Sequence, residues 1–92
     1  MSDPPLRNAI GAQVRKLRAS QNLTQQELAA RCNLVGFDIG RETVSQIERG
    51  VRGVSDLEMI LLASVLKAKL PDLVPKRLPK WRKDLRPPNA VE

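Results

Sequence analysis

The sequence predicts an all-α fold, a bundle of five short helices, and three observations carry that reading. Apolar residues recur at steps of three and four, as one face of a helix requires. Two Ser/Thr-x-x-Glu boxes, Thr24 to Glu27 and Ser55 to Glu58, mark helix starts. No segment alternates apolar and polar residues as a half-buried strand does.

The first helix is expected from Asp3-Pro4, with Asp as cap and Pro in the first turn, where its missing N–H is harmless. Leu6, Ile10, Val14 and Leu17 form its stripe, and it stops near Asn22, a residue that tolerates the left-handed conformation. The second opens at the Thr24 box, turns Leu28, Ala29 and Cys32 inward, and ends at Asn33. A loop through Leu34 to Asp38 leads to a third helix over Arg41 to Arg49, with Val44 and Ile47 inward and Gly50 as its stop. The Ser55 box opens a fourth, for which Leu57, Ile60, Leu61, Val65 and Leu66 predict a wide buried face. Pro71 starts a last turn through Leu73 and Val74. Phe37 fits either a small satellite core or an exposed anchor for a partner.

Composition narrows the function. With no His and one Cys in 92 residues, no triad, Cys–His pair or metal site is expected, and an enzyme is the least expected class. Cys32 has no internal disulfide partner, which fits a reducing compartment; a small buried residue is the favoured reading of it, a redox switch the minor one. Residues 1 to 5 hold no apolar signal core. The greasy run Met59 to Leu66, broken by Ser64, is far below the ~18 residues of a spanning helix. The expectation is a cytoplasmic protein without membrane contact or cofactor.

The net charge of +6 points to an anionic partner and is unevenly placed. The body, residues 4–74, is nearly balanced, whereas the Pro-punctuated tail, residues 75–92, carries six cations (Lys76, Arg77, Lys80, Arg82, Lys83, Arg86) against two acids. That tail reads either as a solubilising end or as an arm that follows DNA, and Trp81 within it suggests docking on the body or across a dimer. The second and third helices are short and adjacent, with small Ala29 at their crossing. The outer face of the third, Arg41, Glu42, Thr43, Ser45, Gln46 and Arg49, therefore projects, as an element entering a B-DNA major groove must.

Three runs in order, Val14-Arg15-Lys16-Leu17-Arg18, Leu23 to Ala29, and Val44 to Gly50, resemble the helix-turn-helix domain of phage repressor/Cro-type regulators, the XRE family, whose fold is lambda-repressor-like. The resemblance spans Ile10 to Val74. The family usually has Gly where this chain has Asn22 and Asn33. The turn before Val44 is also longer than usual, as in POU-specific domains; Ile39 is expected as the apolar residue before the recognition helix and Gly40 as its cap.

Carried over position by position, the resemblance implies base reading by Arg41, Glu42 and Gln46: Arg suits guanine, Gln adenine, and Glu accepts from cytosine or instead orients Arg41. It implies phosphate contacts for Gln25, Thr43, Ser45, Arg49 and Arg52, although Thr43 and Ser45 equally suit bonds to their own helix backbone. It implies a structural ion pair between Arg18 and Glu48. The resulting expectation is a double-stranded-DNA-binding transcriptional regulator, a repressor, acting as a homodimer built on the fourth helix onward, Leu70 to Val74 included. Two alternatives stand beside it: the antitoxin of a toxin–antitoxin pair, its tail wrapping a toxin partner, and a protein-interaction module that has lost DNA reading.

Overall fold

The computed structural model describes residues 6–77, and all regular structure among them is helical. The elements are α1 (Gly11–Ser20), α2 (Gln25–Leu34), α3 (Arg41–Glu48), α4 (Asp56–Val65) and the single turn α5 (Leu70–Leu73). Both capping boxes are present: Thr24 Oγ accepts from Glu27 N and Ser55 Oγ from Glu58 N, while each Glu carboxylate accepts from the cap residue's N–H. Leu28, Val44, Ile47, Leu62, Leu66 and Leu73 are fully buried and, with Val14, fill one core. Around it α3 packs on α1 and α2, while α4 packs on α2 and α5.

The start of α1 differs from expectation. Asp3 and Pro4 lie outside the described residues, and residues 6 to 10 are not helical. The N-cap position is Ile10, and the side chain that satisfies the free N–H groups there is that of Asn8, whose Oδ1 accepts from Ile10 N at 3.0 Å and Gly11 N at 2.8 Å. Leu6 is therefore not part of a helical stripe; it is half exposed and lies over Gly50. Starting α1 at Gly11 has a packing reason. A Cβ there would stand 2.9 Å from the Glu48 carbonyl oxygen and closer still to that of Ile47, so the missing side chain lets α1 approach the end of α3.

The lengthened turn is also resolved differently. Asn22 takes the left-handed conformation as expected (φ 57°), but Asn33 stays helical and the left-handed position falls at Gly36 (φ 88°). The Asn33 amide donates to Ala29 O at 2.7 Å and to Ile39 O at 2.8 Å, tying the end of the turn back to α2. Phe37 and Ile39 both enter the main core, so no separate satellite core forms around Phe37, and Gly40 is the N-cap of α3. Leu57 and Ile60, expected inward, are 61% and 50% exposed. Helix α4 is apolar nearly all round, so its buried face is chosen by contact with α2 and α5, through Leu62, Ala63, Val65 and Leu66.

Candidate nucleic-acid interface

The eight residues of α3 divide cleanly. Val44, Ile47 and Glu48 are buried against the body; Arg41 and Glu42 are exposed, and Thr43, Ser45 and Gln46 lie partly open on the outer side. Helix and body are joined at the base of α3 by a charged cluster. Arg18 Nε donates to Glu48 Oε2 at 2.6 Å, and Nη2 donates to Oε1 at 3.1 Å, a two-pronged pair; Nη1 donates to Leu23 O. The Glu48 side chain is only 3% exposed. Its hydrogen bonds raise the guanidinium pKa of Arg18 above the ordinary value.

Gln25, at the start of α2, joins this cluster: its amide donates to Glu48 Oε1 at 3.0 Å. Three helices thus meet at one carboxylate, which sets the tilt of α3 relative to the N-terminus of α2. On the far side of α3 the Asn8 amide donates to Ile47 O at 3.0 Å and Arg52 O at 2.8 Å, holding the helix end and the loop after it.

Several of the other candidate residues are bonded to one another or to a nearby acid. Glu42 faces Arg49 at 3.5 Å, both exposed, and is bonded to Arg49 rather than to Arg41. Ser45 Oγ accepts from Arg49 Nε at 3.3 Å. Arg52 donates to both carboxylate oxygens of Glu58, at 3.0 and 3.1 Å, and lies over the Phe37 ring, 5.9 Å from its centroid. Those hydrogen bonds hold the Glu58 carboxyl below the usual carboxylate range, with a further contribution from Ser55 N–H. Glu27 is lowered in the same way by the Thr24 N–H.

Arg41, Glu42, Thr43, Ser45, Gln46 and Arg49 therefore share α3 and its C-cap, Gln25 stands beside them through Glu48, and Arg52 lies in the following loop. Sequence reasoning missed Asn8, because it fell inside the stripe expected for α1; a capping residue three before Gly11 was the available signal. It also missed Glu58 as the partner of Arg52. Among the described residues no cluster of three or more His, Cys, Asp or Glu is arranged to hold a metal ion.

A family model described as helix-turn-helix, HTH_3, matches residues 14–73. The chain belongs to that family. This helix-turn-helix domain is thus of the XRE type, the class of DNA-binding transcription regulators. The restriction-modification controller protein C.AhdI from Aeromonas hydrophila is similar at 31% identity, over 70% of this chain and 86% of that one, with a TM-score of 0.61. The clp gene regulator ClgR from Corynebacterium glutamicum is similar at 31% identity, over 77% and 86%, with a TM-score of 0.64. The DNA-binding domain of BldD, at 24% identity over 82% of this chain and the whole of that one, shares the fold, with a TM-score of 0.63. No curated protein matches the chain. No helix among the described residues is long and apolar enough to cross a membrane.

Proposed function

We propose that this helix-turn-helix domain reads double-stranded DNA in a sequence-specific way and represses transcription by occupying its site. The observation that carries the reading is the construction of α3: a helix whose outward residues, Arg41, Glu42 and Gln46, suit base edges, held at its inner end by the buried Glu48 carboxylate. Arg41 and Gln46 supply the guanine and adenine contacts. Glu42 stands beside Arg49 and trims its charge until a cytosine amine or a phosphate competes. Gln25, Thr43, Ser45 and Arg49 position the domain on phosphates; Arg52, already bonded to Glu58, contributes the edge of its guanidinium left open.

The active form is a homodimer, with half-sites about 34 Å apart on a palindrome. Support comes from the exposed apolar residues Leu57 and Ile60 of α4, Leu70 of α5 and Val74 just after it, which lie away from α3 in sequence. The expected seat of action is the cytoplasm.

Selection of bound duplexes from a random library at near-physiological salt tests this, run beside an Arg41→Ala/Gln46→Ala variant. The expected result is an enriched palindrome that the variant no longer selects. Equal, unselective binding by both proteins overturns the reading.

A further inference from the structure

Two cations on the outer side of α1, Arg15 and Lys16, stand next to two on the chain that leaves α5, Lys76 and Arg77. The segment after Val74 returns along α1, so that Ala12, Lys16, Lys76 and Arg77 line one open cleft. Adjoining hollows share Ala12: one extends it to Arg15 and the edge of Glu48, the other to Arg49 at the C-cap of α3. All five cations are exposed. Among the described residues, Arg15, Lys16, Lys76 and Arg77 form no ion pair.

Of the acids nearby, Glu48 is buried against Arg18, Glu42 faces Arg49, and Asp72, which accepts from Lys69 N at 2.9 Å, lines an adjoining hollow with Lys16 and Lys76. In sequence, residues 78–92 add four cations, Lys80, Arg82, Lys83 and Arg86, against Asp84 and Glu92. Arg15, Lys16, Lys76 and Arg77 around a shallow, small-residue floor sum to a positive potential that attracts an extended anion.

We propose that this cleft is a second phosphate-binding site, which takes the sugar-phosphate backbone of the duplex flanking the bases read by α3. The inference rests on the DNA-binding reading above. It extends the contact outward from Arg49 along α1 to Lys76 and Arg77. An extended polyanion is the occupant the observations favour: the cations form a track continuous with α3 rather than a socket, and the floor at Ala12 lets a backbone lie close. An acidic protein surface is the competing occupant.

The test uses the full chain and two labelled duplexes with the same selected core. One is about one and a half helical turns long and the other about three, a turn being ~10 base pairs. Binding is followed by anisotropy across a salt series for the parent, for Arg15→Ala/Lys16→Ala and for Lys76→Ala/Arg77→Ala. All four positions are exposed, and circular dichroism checks that the fold is kept. The parent is expected to bind the longer duplex more tightly. Each double variant should lose that advantage and about two units of salt slope, at ~0.9 per phosphate contact, while selecting the same core sequence. The corresponding loss on the longer duplex is about tenfold or more near physiological salt. Parent-like slopes and length dependence in both variants overturn the cleft as a DNA site and leave the acidic-protein occupant. A parent that binds neither duplex overturns the DNA-binding reading itself, and the two failures are thereby distinguished.

Discussion

Removing the carboxylate of Glu48 is the sharpest test of how α3 is held. Its side chain is 3% exposed and accepts three hydrogen bonds, two from Arg18 and one from Gln25; the Arg18 side chain is 15% exposed. Breaking a buried pair by deleting one partner costs about 3–5 kcal/mol, because the other charge is left without solvent or partner. Arg18 keeps its bond to Leu23 O and some access to water, which places Glu48→Ala at the low end, about 3 kcal/mol. For a domain of this size that is a fall in Tm of roughly 12–24 °C. In urea the midpoint should drop by about 3 M, taking a slope near 1 kcal/mol/M. A second variant separates lost attraction from stranded charge. Arg18→Met/Glu48→Leu removes both ions together and should recover to within about 1 kcal/mol of the parent. A single variant costing less than about 1 kcal/mol, or a double variant no better than the single one, would refute the reasoning.

Three further outcomes are expected from the same structure. Gly11→Ala drives a methyl into the Ile47 and Glu48 carbonyls and should destabilise by about 1–3 kcal/mol despite the better helix propensity of Ala, read as a lower melting temperature. Burial pushes the Cys32 thiol up to about 11, so a disulfide reagent at neutral pH should label the native protein slowly and the urea-unfolded protein at once; rapid native labelling contradicts the packing described. The Glu58 carboxyl is lowered by Arg52, so the stability it contributes is present above its unfolded pKa, about 4.3, and is lost as pH falls through the lower folded value. Glu58→Gln should therefore be less stable than the parent near neutrality, by under about 1 kcal/mol for a pair this open, and should show a shallower acid limb in a pH series of urea melts.

Much of this fold is legible because its signals are local. Thr24 with Glu27, Ser55 with Glu58, and Asn22 each act within one turn of chain, so residue identity alone places the ends they define. The errors arise where a choice depends on a distant neighbour. Leu57 and Ile60 are as apolar as Leu62 and Leu66, and only the position of α2 and α5 decides which pair is covered. Asn8 is hidden for the same reason: its carbonyl oxygen caps α1 locally, but its amide bonds to Ile47 O and Arg52 O span 39 and 44 residues. At the interface the sequence names the side chains on the outer face of α3. The Glu42–Arg49 contact and the Arg52–Glu58 pair depend on rotamers and loop geometry, which no spacing rule reports.

The Asn33 side chain gives the turn a property of its own. One amide holds Ala29 O and Ile39 O together, so the residues between Leu34 and Asp38 form a loop closed at its base by hydrogen bonds as well as by the buried Phe37 ring. Val35 N and Phe37 N donate back to Cys32 O and Gly36 N to Asn33 O, so the bend also hangs on the end of α2. Leu34, the last residue of α2 and 86% exposed, and Gly36, with open space around its α-carbon, lie at that bend. The Asn33 clasp helps fix where Gly40 begins the next helix, while Gly36 supplies the left-handed turn and Phe37 the buried ring. A turn built this way offers a place to graft a tag, a fluorophore or a short peptide next to α3 without disturbing its aim.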